Sequence, residues 1–225
     1  MVVQPSPQLH TVRLVAWLVV VLLLTTLAYI GQLTSEDNPD DVAYRYGTSI
    51  SAALFYGVVL GVLLLISWGT DRRELFALRR PESWPRALGL AAVALVAIWI
   101  AGAALAPFLD ATDEQGLVPD NWDSSRAGAF ALFFVVVTVG APVVEELTYR
   151  GLGFALLAPF GTWVAIVATG VLFGLAHGLI VALPVLTFFG LAIGWLRART
   201  RSIYPPMLLH ATFNGAALIL SVTVA

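Results

Sequence analysis

Long apolar runs alternate with short polar segments along the whole chain. Seven runs stand out, at about residues 13–33, 48–68, 87–108, 128–158, 162–181, 184–198 and 204–223. Crossing a bilayer takes about 20 apolar residues. Lipid offers backbone groups no partners, so spanning segments of this kind are expected to be α-helices. The pattern predicts an all-α, polytopic transmembrane helical bundle of about 7–8 segments. The fourth run is too long for one straight crossing, roughly 45 Å at about 1.5 Å per residue. Pro142 is expected to kink it. If its C-terminal part forms a separate helix, an eighth segment results.

Composition fits this picture. The chain is 59% hydrophobic and 12% charged, whereas a soluble domain is nearer 45–50% apolar and about 25% charged. So few charges could not cover the surface of a water-soluble fold. The net charge of −2 suggests no nucleic-acid partner. There is no Cys, which excludes disulfides, thiol nucleophiles and Cys-ligated metals. The first run begins like a signal peptide, with Arg13 ahead of it. It is longer than a signal core and lacks a small-residue cleavage site, so it is read as a retained span.

The basic residues set the expected orientation. Arg13, Arg72, Arg73, Arg79, Arg80, Arg86, Arg197, Arg199 and Arg201 fall on one side if the runs alternate, and Arg45 and Arg126 on the other. The positive-inside rule places the first group, and the N-terminus, in the cytoplasm. The acidic stretches Asp37–Asp41 and Asp110–Asp123 then fall outside, as solvated surface. The chain is expected to be one membrane domain, with N-terminal helices and loops over 1–126 and the chemistry-bearing helices over 127–225.

Ionisable residues inside spans are costly and are functional candidates by default. Here they are Glu145, Glu146, Arg150, His177 and His210, all in the second half of the chain. Glu146 and Arg150 are four residues apart and share a helix face, where pairing lowers the cost of burying both. Glu145 is rotated about 100° away and is expected to be free to face a cavity. Phe173 and His177 share a face in the same way, as do His210 and Asn214. Gly174 and Gly178 leave room for a neighbouring helix. The bland alternative is a packing cluster in which these groups only hydrogen-bond one another.

Elimination narrows the chemistry. Peptide hydrolysis needs water, a base and a stabiliser for the oxyanion. No H-E-x-x-H zinc helix is present. No G-x-S-x-G appears; the nearest stretch is Gly47-Thr48-Ser49-Ile50-Ser51. No Asp lies within a span, so an aspartyl dyad is excluded. Glu and His remain, and a carboxylate taken out of water is a stronger base.

Three ordered motifs carry a resemblance: E-E-x-x-x-R at Glu145–Arg150, F-x-x-x-H at Phe173–His177 and H-x-x-x-N at His210–Asn214. Over about residues 140–216 the chain resembles the CPBP family, the type II CAAX prenyl endopeptidases and bacteriocin-processing proteins. The resemblance implies an intramembrane endopeptidase in which Glu145 and His177 activate water. His210 and Asn214 would form the oxyanion hole, supported by Glu146, Arg150 and Phe173. It implies no cofactor or metal, a membrane-associated protein or peptide substrate, and a prokaryotic cell membrane as location. CAAX specificity is not transferred. Three alternatives stay open: a metal-dependent hydrolase with Glu145, His177 and His210 as ligands, a non-enzymatic immunity or scaffold protein, and a small transporter.

The orientation has a direct test. A reporter fused within residues 71–86 should give a cytoplasmic signal, and an extracytoplasmic one would reverse the topology.

Overall fold

The computed structural model describes residues 7–34, 41–109, 119 and 121–223. The helices are α1 (Pro7–Thr34), α2 (Tyr46–Ile66), the short α3 (Arg72–Leu75), α4 (Trp84–Leu105), α5 (Ser124–Phe160), α6 (Thr162–Leu175), α7 (Leu183–Thr200) and α8 (Tyr204–Thr223). No strand occurs among the described residues. The fold is the expected all-helical bundle.

Five helices, α1, α2, α4, α5 and α8, are long and apolar enough to cross a membrane. The other two of the seven apolar runs form α6 and α7. The fifth run forms a helix of only 14 residues, about 21 Å against a hydrocarbon core of roughly 30 Å. The sixth, α7, has Arg197 and Arg199 in its last turn. The fourth run does not split: α5 is continuous over 37 residues. Pro142 is absorbed by a π-helical turn at Val136–Gly140 just before it, rather than by a break. Of the acidic stretches, residues 37–40, 110–118 and 120 lie outside the described residues.

Burial ranks the helices. In the most apolar window of α5, 44% of residues are buried, against 11% in α1 and in α4, which makes α5 the central element. The outer helices expose Val15, Val19, Leu22 and Leu23 on α1, Leu54 and Val58 on α2, and Val93 and Trp99 on α4. Such a surface is stable only against lipid. The chain is an integral membrane protein.

α1 turns one stripe inward, Arg13, Trp17 and Val21, spaced by four residues. Arg13 donates to Ile66 O at 3.2 Å and Trp68 O at 2.9 Å, so a cation sits on the carbonyls at and just past the C-terminus of α2. Outside the bundle, Arg126 donates to Asp41 and Asp123 and lies over the Tyr44 ring. The Asp123 carboxyl is held down to about 2 by the Ser125 hydroxyl and then by Arg126. This clasp therefore stays ionised at any ordinary pH. At the other end, Ile203 N donates to Ala77 O and Ser202 Oγ to Arg79 O, which fixes where α8 begins.

α6 and α7 form an antiparallel pair in near backbone contact. A Cβ on Gly190 would lie 2.9 Å from Gly170 Cα, and one on Gly174 would lie 2.6 Å from Thr187 Oγ1. Two connections need glycine for a different reason. Gly161 links α5 to α6 at φ +125°, and Gly178 follows α6 at φ +69°. A Cβ on Gly178 would also meet the Ala28 backbone of α1 at 2.6 Å, so α1 covers the end of α6.

Gly190→Val should therefore drive two backbones apart, costing at least the 1–3 kcal/mol typical of overpacking. A large fall in the thermal midpoint of the detergent-purified protein is expected. At Gly194 an added Cβ meets only ordinary contacts of 3.5–3.6 Å, so Gly194→Ala should change little.

Candidate active site

The two glutamates lie on α5 between two π-helical stretches, Val136–Gly140 and Leu147–Gly153. A π turn spaces donor and acceptor five residues apart and turns carbonyls toward neighbours. Ala141 N–H reaches back to Val136 O in this register. The next donor would be Pro142, which has no N–H. Val137 O is instead met by Asn214 Nδ2 of α8 at 3.0 Å. In the second stretch, Trp17 Nε1 donates to Thr148 O at 2.9 Å and Arg197 Nε to Arg150 O at 3.1 Å. Three side chains from three other helices thus grip the backbone that carries the glutamates.

Glu146 is fully buried. Its Oε1 accepts from Arg150 Nη1 at 3.3 Å and from His210 Nδ1 at 2.9 Å. Arg150, also fully buried, donates from Nη2 to Gly190 O at 2.8 Å and stacks 4.5 Å over Phe173. The expected Glu146–Arg150 pair is present and extends to His210. Phe173 is the hub of an aromatic cluster, 4.7 Å from His177, 5.6 Å from Phe189 and 5.7 Å from His210 between ring centres.

Glu145 faces the other way. It lines a cavity of about 380 Å³ together with His177 at the end of α6. That volume falls within the usual range for small-ligand pockets. Leu24, Leu27 and Ala28 of α1 and Phe55, Tyr56 and Val59 of α2 form its apolar side. Glu145 Oε1 accepts from the Tyr56 hydroxyl at 2.9 Å. Its Oε2 lies 3.8 Å from His210 Nε2. His177 Nδ1 is 2.8 Å from Phe173 O. A carbonyl can only accept, so this bond places the proton on Nδ1 and leaves the Nε2 lone pair available.

The candidates do not all stand at the cavity wall. Glu145 and His177 do; His210 is buried behind Glu145, and Asn214 and Phe173 are not among the lining residues. Among the described residues, no three His, Asp or Glu side chains are grouped so as to hold a metal ion.

Sequence reasoning missed Tyr56, because it searched the spans for charged groups and histidine. The available signal was its isolation: from Ala52 to Ile66, Tyr56 is the one residue of α2 whose side chain can hydrogen-bond. It also missed Trp17 and Arg197, whose bonds to α5 carbonyls follow from the π turns and not from local pattern.

Residues 127–216 match the family model described as Type II CAAX prenyl endopeptidase Rce1-like. Over 93 residues the chain is 29% identical to the Bacillus subtilis (strain 168) protein named "Putative membrane peptidase YdiL", a match covering 41% of this chain and 38% of that protein. The chain thus spans less than two-fifths of the length of the curated relative it matches. No solved structure matches it. The motif-bearing helices α5 to α8, which carry Glu145 and His210 with His177 just past the end of α6, lie almost wholly inside the matched stretch, and it is over residues 127–216 that the chain is similar to the type II CAAX prenyl endopeptidase Rce1-like family.

Proposed function

We propose that the chain is an intramembrane endopeptidase of the glutamic type, hydrolysing a peptide bond of a membrane-associated protein or peptide. The observation that carries this reading is that Glu145 and His177 line one apolar-walled cavity. A base there works in a poorly solvated site, where electrostatic interactions are strong.

In this reading a water sits between Glu145 and the Nε2 lone pair of His177. The Glu145 carboxylate takes one proton as the water oxygen bonds to the scissile carbonyl carbon. The carbonyl π pair moves onto oxygen, giving the oxyanion. His210 stabilises that charge through an Nε2 proton, while Nδ1 stays on Glu146. With His210 so protonated, the charges of Glu145, Glu146, Arg150 and His210 sum to zero, which favours a buried cluster. Asn214 is the second donor; one of its amide hydrogens is taken by Val137 O, and the other serves the oxyanion. The tetrahedral intermediate collapses when the proton held by Glu145 passes to the leaving amine. Glu146, Arg150 and Phe173 hold His210 and α5 in place. The lipid bilayer is the partner that presents the substrate.

Comparing membrane proteomes of cells carrying the wild type and Glu145→Gln tests the activity directly. Uncleaved substrate should accumulate in the variant, and identical proteomes would speak against a protease. The paired glutamates make a sharper prediction. Glu145→Gln should abolish cleavage at near-normal protein levels. Glu146→Gln should lower folded yield, because Arg150 loses its partner in a fully buried site at a cost of about 3–5 kcal/mol. Equal loss of folded protein in both variants would contradict the division of roles.

For Asn214→Ala, turnover per folded molecule should fall by about 10²–10³, the usual effect of losing one oxyanion donor. Substrate binding should change little, since that bond strengthens in the transition state. Stability should also drop, by roughly 1–3 kcal/mol, as Val137 O loses its donor. Asn214→Asp should be worse on rate, because it sets an acceptor against the oxyanion. A stability loss with an unchanged rate per folded molecule would remove Asn214 from the chemistry.

A further inference from the structure

Tyr56 stands on α2, outside the stretch that carries the three motifs, and half-way along a helix packed in lipid. A hydroxyl at that depth needs a partner within the protein. Its partner is Glu145 Oε1 at 2.9 Å, and the same hydroxyl-bearing ring lines the cavity. Phe55 packs edge-on against it, 5.5 Å between ring centres. A phenol donating to a carboxylate fixes which way that carboxylate points. It also leaves the second oxygen, Oε2, as the one not bound to Tyr56, and Oε2 is the oxygen nearest His210.

We propose that Tyr56 is a positioning residue for the Glu145 carboxylate: its hydroxyl holds Oε1, so that Oε2 is the oxygen that takes the proton from water. The proposal deepens the reading of Glu145 as base and rests on it. The bond forms with the ionised carboxylate more strongly than with the neutral acid, so it holds the form that acts as base. The other ionisable groups around Glu145 are His210 from α8, His177 from the end of α6, and Tyr149, Glu146 and Arg150 on α5 itself. α1 presents only Leu24, Leu27 and Ala28 to the cavity. Tyr56 is therefore the group on the α1–α2 side that can hold the carboxylate.

The test is Tyr56→Phe, which keeps the ring and removes the hydroxyl. The purified protein in lipid nanodiscs is studied by infrared spectroscopy, with Glu145→Gln subtracted in each background to isolate the Glu145 carboxylate band. Losing the phenol's hydrogen bond should move and broaden that band, because the carboxylate is no longer held in one orientation. In cells, Tyr56→Phe should accumulate the same membrane proteins as Glu145→Gln, but to a lesser degree. An unmoved band overturns the proposal, as does a moved band with a wild-type proteome. If Glu145→Gln itself leaves the proteome unchanged, the base reading fails separately, and the infrared band still decides whether Tyr56 holds the carboxylate.

Discussion

Everything around the cavity depends on one carboxylate buried where no water reaches it. Glu146 joins Arg150 on its own helix to His210 on α8, and Arg150 continues the chain to the backbone of α7 at Gly190. In lipid such a network cannot borrow solvent, so breaking one link strands charge on the others. That constraint places three helices relative to one another. It also fixes the one residue next door, Glu145, whose carboxylate is turned toward open space.

The π-helical stretches explain how two neighbouring glutamates take opposite roles. A regular α-helix already separates successive residues by about 100°. The wider turns on either side add carbonyls that point outward, and Asn214, Trp17 and Arg197 bind them. α5 is thereby held by helices from both halves of the chain. The near contact of Gly170 with Gly190 joins α6 to α7, and Arg150 of α5 bonds α7 at that same Gly190. Close packing and polar bonding are parts of the same arrangement.

Much of this was legible in the sequence. The all-helical fold followed from run length and from the absence of lipid partners for the backbone. The Glu146–Arg150 pair followed from four-residue spacing, and the separate orientation of Glu145 from helical rotation. What the pattern could not show depends on distant geometry. That α6 stops at Leu175 depends on the Gly178 turn pressed against Ala28. That α5 stays whole at Pro142 depends on a donor 72 residues further along, Asn214. Tyr56 reads as one more apolar wall residue until α2 is packed against α5.

The contact between Asn214 and the carbonyl ahead of Pro142 has an evolutionary consequence. A residue with an N–H at position 142 would offer its own hydrogen to Val137 O and compete with the amide. A residue without an amide at 214 would leave that oxygen unmet only while proline remains at 142. The two positions are therefore expected to drift together, each change tolerated according to what occupies the other. A substitution judged harmful in this chain would then be neutral in a relative that altered both, and the pair would behave as a single inherited character.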